Sequence, residues 1–237
     1  MTSPVWHTPL VSCIMPTSNR RRFVPQAIRY FLRQEYARKE LILVDDGTDA
    51  VADLIPADSR IRYYRTSSVL SVGEKRNLAC SLASGDIIVH WDDDDWMADW
   101  RVHYQVQQLV QHQADLCGLN CLYFFDPFAA RGWEYCYPGT ARPWVYGATL
   151  CYTRQFWQAH PFRPFDVGED TRFVWSDPAA HVVALEENRW IAALIHEGNT
   201  GSKKTSDPGW KECPLGIISS MLGDDWRFYA AELAVGG

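Results

Sequence analysis

The chain has 237 residues, a formal net charge of −6, 47% hydrophobic and 22% charged residues, which is the make-up of a globular chain with a buried core and not of a disordered one. The acidic balance argues against general nucleic-acid binding while leaving room for a local basic site for phosphates, and no apolar stretch approaches the length that crosses a bilayer. Seven cysteines, odd in number and scattered, with no secretory signal at the start, do not suggest a disulfide framework and fit a reducing cytoplasm.

At this length one domain, with or without a C-terminal extension, is expected. Residues 10–15 read as a first buried strand ended by Pro16, and Thr17, Ser18 and Asn19 supply turn and capping chemistry before a helix over 22–33. Phe23, Ala27, Ile28 and Phe31 fall on one face of that helix. A second strand over 40–44 ends in Asp45, Asp46 and Gly47, and a third over 61–65 follows a loop and short helix. Strand, helix, strand, helix, strand predicts a parallel α/β sheet. A further helix starts near Ser71 and carries Lys75 and Arg76 in its first turns, where position alone favours solvated surface charges over phosphate or base contacts.

That helix leads into a β-branched and aromatic run over 87–91, bounded by Gly85, which drops into Asp92, Asp93, Asp94 and Asp95. In an open α/β sheet the C-terminal strand edge is where ligands bind, and crowded like charges there need a cation or take up protons. Oxygen donors favour Mg²⁺ or Mn²⁺. The run could instead cap a helix over 97–112, but one aspartate would suffice for that, so the metal reading is preferred. A dehalogenase-type phosphatase is disfavoured because Trp96 stands where that motif wants Thr or Val.

The aromatic middle, 115–152, predicts strands over 116–125 and 133–137 joined by a turn at Asp126-Pro127. Cys117, Cys121 and Cys136 lack knuckle spacing and read as core thiols ahead of a zinc site. Trp144, Tyr146 and Trp157 are candidates for an acceptor groove, although each alone reads as core. Gly168 predicts a sharp turn, with Glu169 and Asp170 opening a helix as a cap or a general base. A strand over 190–195 precedes His196, which alone reads as a satisfied surface histidine and beside an acidic metal site as a nitrogen ligand. Lys203 and Lys204 follow, then two short helices over 213–222 and 226–233 that are expected to pack on the domain. There is no Gly-x-Gly-x-x-Gly after the first strand and no phosphate-loop Gly-Lys-Ser/Thr, which counts against a dinucleotide oxidoreductase or an ATPase.

Over roughly 9–200 these pieces resemble the family 2 glycosyltransferases, inverting enzymes of the GT-A fold. The resemblance lies in Val-Ser-Cys-Ile-Met-Pro-Thr-Ser-Asn19, Val-Asp-Asp-Gly47, Lys-Arg-Asn77, the Asp-rich strand end and Gly-Glu-Asp170, in the family's order. It implies an α/β fold: a Rossmann-like, mostly parallel sheet flanked by helices, with a nucleotide-binding half over about 9–96, a mixed-sheet acceptor half over about 97–200 and a short helical extension over 201–237. It places the donor nucleotide against Pro16, Thr17 and Asn19, its base at Asp46, and further nucleotide contacts at Lys75 and Arg76. The family's Asp-x-Asp motif maps onto Asp92, Asp93 and Asp94, with Asp94 the direct metal ligand, Asp92 facing the nucleotide sugar and Asp95 an extra acid. His196 matches the late histidine that holds metal and diphosphate in some relatives, and Lys203 and Lys204 would reach the diphosphate.

The implied cofactor is Mn²⁺ or Mg²⁺. The implied partners are a nucleotide-sugar donor, UDP being the family's commonest nucleotide, and a glycan, lipid-linked, protein or small-molecule acceptor, with no nucleic acid. Asp170 is the implied base, and Glu169 binds acceptor or supports Asp170. A cytoplasmic location is expected, and a peripheral membrane contact and homo-oligomers stay open. Two alternatives compete: a sugar-phosphate nucleotidyltransferase, whose Gly-rich signature is missing from residues 16–20, and a non-catalytic carbohydrate-binding or scaffold module, against which the retained Asp94 and Asp170 speak.

Overall fold

In the computed structural model, which describes residues 8–139 and 141–230, the alternating runs of the first half become parallel strands joined by helices. The order is β1 (Val11–Thr17), α1 (Val24–Leu32), β2 (Lys39–Asp45), β3 (Ile61–Arg65), α2 (Val72–Leu82) and β4 (Ile87–His90). β1 pairs in parallel with both β2 and β4, and β2 with β3. Val11, Cys13, Ile14 and Met15 are wholly buried, as central parallel strands require.

β1 does not stop at Pro16. The carbonyls of Leu10, just before the strand, and of Ile14 accept from Asp86 and Trp91 on the β4 side, so alternation turns the nitrogen of Pro16 the same way. Pairing with β4 ends at Ile14 and His90, and the missing N–H therefore deprives no neighbour of a ladder bond. α1 starts two residues later than expected, after a turn over 21–23, and buries Phe23, Ala27, Ile28 and Phe31 as its pattern demands. α2 is opened by a capping box between Ser71 and Glu74.

The second half supplies β5 (Trp96–Met97), α3 (Arg101–Gln111), β6 (Leu116–Gly118), β7 (Cys121–Asp126), β8 (Arg131–Cys136), β9 (Cys151–Thr153), α4 (Arg154–Ala159), α5 (Glu169–Val174), β10 (Val182–Ala184), β11 (Ile191–Leu194), β12 (Trp210–Cys213), α6 (Leu215–Leu222) and α7 (Trp226–Ala230). A seven-stranded sheet runs β10-β6-β9-β4-β1-β2-β3, and a five-stranded mixed sheet runs β12-β8-β7-β11-β5. The first is mostly parallel, with only β9 antiparallel to its neighbours. Among the described residues no helix is long and apolar enough to cross a membrane.

Several sequence expectations shift. The helix over 97–112 begins only at Arg101, because Trp96 and Met97 pair with β11 instead. The apolar run 116–125 breaks at Leu119-Asn120 and serves two sheets. There the carbonyls of Leu119 and Asn120 accept from Tyr146 and Tyr137, so the backbone is satisfied outside either ladder. The last segment adds an edge strand, β12 on β8, to the two expected helices. The second helix is described as far as Ala230, and positions 231–233 of that expectation lie outside the described residues. Cys121 and Cys136 are direct partners across β7 and β8 and form a disulfide, so the core-thiol reading fails for this pair. It holds for the buried Cys117, which belongs to the other sheet and joins no zinc site with them.

Candidate active site

The ends of β1 and β4, the first turns of α2 and α5, and the loop after β11 surround a cavity of about 510 Å³. All four aspartates line it, but they are not equally accessible. Asp93 and Asp95 are buried, whereas Asp92 and Asp94 are half-buried, on a backbone that leaves β4 at His90 and bends over 93–95. Asp93 accepts from Thr17 Oγ1 at 2.6 Å and Asp95 accepts from Leu194 N at 3.0 Å, so these two anchor the run to β1 and β11. Burial first, and then the charge of Asp94, pushes the Asp93 carboxyl up to about 8. The same two causes push Asp95 well above the ordinary carboxylate range.

A raised acid pKa means that the folded chain binds the proton more readily than the unfolded one. Stability from Asp93 is therefore lost as pH rises between 3.8 and about 8. Asp93→Asn lacks that loss. In chelator, its melting temperature is expected to gain on the wild type by several degrees between about pH 5 and about pH 8, and parallel melting curves across that range would refute the buried-acid assignment.

Asp94 Oδ2 lies 2.9 Å from His196 Nε2 and 3.5 Å from Asn199 Nδ2, and Asn199 Oδ1 in turn accepts from the His196 backbone. A hard carboxylate oxygen beside an imidazole nitrogen suits Mg²⁺ or Mn²⁺. The acid run presents no three donors crowded into one coordination sphere; the cluster of Cys121, Glu134 and Cys136 lies away from the cleft and has its two sulfurs joined in the disulfide. One or two protein ligands, with phosphate oxygens completing the shell, is the usual construction of phosphate-bound Mg²⁺, and the donors present fit it.

Lys75 and Arg76 correct the surface reading, being only 6% and 5% exposed. Lys75 Nζ is 2.9 Å from Asp46 Oδ1 and 3.5 Å from the Thr17 carbonyl. Burial pulls Asp46 upward, but the Leu70 N–H and Lys75 together hold it below the usual range. Asp46 itself does not line the cavity and meets it through Lys75. Arg76 pairs with the buried Glu169 and lies 3.7 Å from Asp92. Asn19, left-handed at φ 56°, lines the cavity while its Oδ1 accepts from Asp49 N.

Asp170 reaches the cleft from α5, which begins after Gly168 at φ 76°, a left-handed turn suited to glycine. Its Oδ1 accepts from Thr171 N at 2.7 Å, and Trp144 Nε1 donates to Thr171 Oγ1. Gly147 lies directly against the carboxylate, where any Cβ would collide with Asp170. Lys203 Nζ contacts Tyr146 Oη at 2.7 Å on the same wall, whereas Lys204 is exposed and outside it. Of the three aromatic candidates only Tyr146 lines the cavity. Trp144 stacks on Tyr137 behind it, and Trp157 donates to Asn77 in a different part of the core.

Three residues escaped the sequence reading. Arg20 reaches Asp93 and Asp94 at 3.8 and 3.9 Å, and its place next to Asn19 was the only available signal. Arg101 is wholly buried, donates to the carbonyls of His90 and Ala148, and lies over the rings of Trp91 and Trp190; burial lowers its pKa to about 10. It thus ties the acid-bearing strand end to the turn beneath Asp170. Gly147 carried no signal at all.

The family model "Glycosyl transferase family 2" matches residues 12–168. The chain is 37% identical over 114 residues to the putative colanic acid biosynthesis glycosyl transferase WcaA of Escherichia coli (strain K12), covering 45% of this chain and 41% of that protein. It is 32% identical over 107 residues to the E. coli UDP-Glc:alpha-D-GlcNAc-diphosphoundecaprenol beta-1,3-glucosyltransferase WfgD, covering 44% and 42%. The chain thus spans less than half the length of these relatives. Among solved structures, TarS 1-349 of S. aureus in complex with UDP-GlcNAc superposes with a TM-score of 0.63 at 16% identity, over 81% of this chain and 60% of that one. PcManGT from Pyrobaculum calidifontis, in complex with GDP-Man and Mn²⁺, gives 0.60 at 14% identity over 98% and 66%. The fold is therefore of the GT-A type, and the chain, matched over two thirds of its length, belongs to glycosyl transferase family 2.

Proposed function

We propose that the chain transfers a sugar, with inversion, from a nucleotide-sugar to an acceptor hydroxyl. The observation that carries this is one cleft into which the Asp94–His196 pair and the Asp170 carboxylate both open. Asp94 and His196 would hold a divalent cation, with Asp92 beside them, and that cation would supply the charge that stabilises a diphosphate leaving group. Thr17 fixes the acid run through Asp93, and Asp46 fixes Lys75 at the end of β1. Pro16, Thr17 and Asn19 form the wall for the nucleotide, and Asp46 supports that wall from behind through Lys75.

On the other wall Gly147 and Thr171 orient the Asp170 carboxylate, which takes the acceptor proton as the new bond forms. A carboxylate is a weak base in water and acts here by placement. Glu169 keeps Arg76 in position behind Asp92 and Asp170, and Lys203 faces the phosphates. The half over about 9–96 binds nucleotide and the half over about 97–200 binds acceptor.

UDP is the favoured nucleotide, since TarS is seen with UDP-GlcNAc and WfgD is named for UDP-Glc. A lipid-linked acceptor is favoured by WfgD and by the GalNAc(5)-diNAcBac-PP-undecaprenol beta-1,3-glucosyltransferase of Campylobacter jejuni, both named for such substrates. The chain would then meet its acceptor by peripheral contact at the cytoplasmic membrane face. The test is a thermal-shift panel of UDP, GDP, CDP and dTDP with and without Mn²⁺, because a ligand of the folded state raises the melting temperature by mass action. UDP with Mn²⁺ is expected to give the largest shift and UDP alone little. No shift from any nucleotide would leave the non-catalytic module as the better reading.

A further inference from the structure

We propose that Arg20 is the resident cation of the acid site, and that metal binding at Asp94 is an exchange of this guanidinium for a divalent ion. This rests on the metal-dependent reading above. Arg20 is half-buried, with its side chain 16% exposed. Its guanidinium lies 3.8 Å from Asp93, 3.9 Å from Asp94 and 3.4 Å from His196 Nε2, and it donates to the Gly198 carbonyl. Two carboxylates, an imidazole and a carbonyl are the donor types that a hard divalent ion selects. The guanidinium therefore occupies the side of the acid run on which metal would sit.

The other Lys and Arg side chains near the run are held by partners other than Asp93 and Asp94. Lys75 is held by Asp46, Arg76 by Glu169, Lys203 contacts Tyr146, and Arg101 is engaged with backbone carbonyls. Among the described residues Arg20 is the one Lys or Arg that faces Asp93 and Asp94, beside the His196 imidazole on Asp94. Arg20 is held loosely, since its carboxylate distances exceed the 2.7–2.9 Å of a close charge-assisted hydrogen bond, and a loosely held counter-charge is replaceable. Arg20 also fastens β1 to the loop that carries His196, so its release is linked to that loop.

The test is a titration of metal-stripped protein with Mn²⁺ alone, followed by the electron paramagnetic resonance signal of free Mn²⁺. Arg20→Gln removes the competing charge and is expected to bind Mn²⁺ about tenfold more tightly than the wild type or better, as loss of a like charge a few ångströms away predicts. Arg20→Lys should stay near the wild type, and Asp94→Asn should weaken binding. In chelator Arg20→Gln should melt below the wild type, and Mn²⁺ should raise its melting temperature by more.

Equal or weaker Mn²⁺ binding by Arg20→Gln, with Asp94→Asn still impaired, would overturn the exchange and leave the metal site standing. Absence of Mn²⁺ binding in every form would overturn both. If Arg20→Gln does not fold without metal, recovery of its native circular dichroism by Mn²⁺ supports the exchange. Failure to recover would make Arg20 a purely structural residue and overturn it.

Discussion

Asp170→Asn is expected to lower sugar transfer by about 10²-fold or more, the scale of general-base loss, while leaving nucleoside diphosphate affinity nearly intact. The amide has the shape of the carboxylate, and its oxygen can still accept from Thr171 N, so α5 keeps its place beside Gly147. What it cannot do is take the acceptor proton. The nucleotide wall is built from β1, β4 and α2, none of which depends on that side chain. Product formation at saturating donor, together with calorimetric titration of UDP in Mn²⁺, separates the two effects. Near-normal turnover would remove Asp170 from the role, and a parallel loss of nucleotide binding would mean that the substitution had disturbed the whole cleft.

The second large effect is on stability. Arg76→Met leaves Glu169 in the interior without its partner, and breaking a buried pair from one side costs about 3–5 kcal/mol. For a chain of this size that is a fall of roughly 10 °C in melting temperature. Arg76→Met with Glu169→Leu removes both charges and is expected to recover much of the loss, because the cost lies in the unpaired group and not in the absence of the bridge. A single mutant within about 1 kcal/mol of the wild type would show that Glu169 is hydrated in solution. The pair also sits between Asp92 and the first turn of α5, so the single mutant should lose transfer beyond its loss of stability at temperatures where it is folded.

These two positions illustrate what local pattern can carry. The place of Asp170 in the first turn of α5 was legible because a glycine, two acids and an amphipathic run announce a helix start. Arg76 was not: its sequence neighbours are those of an exposed helix turn, and its burial comes from Glu169, 93 residues away. The disulfide was missed for a similar reason. Cys121 and Cys136 meet only because β7 and β8 pair in a register that places them opposite each other.

By itself the sequence determined the strand–helix alternation of the first half, the arrival of the acid run at a strand's C-terminal end and the turn that opens α5. Each follows from side-chain periodicity and turn chemistry within a dozen residues. Only the tertiary structure decided which partner each acid meets, Thr17 at Asp93, His196 at Asp94 and Leu194 at Asp95. It decided too that the apolar run 116–125 divides between two sheets, and that Arg20 and His196, 176 residues apart, close on Asp94. The reason is physical. A charged side chain has no intrinsic preference for one distant counter-ion, and its partner is chosen by the packing of β1 and β11 around a shared core, which brings the two loops together and excludes the water that would otherwise solvate them.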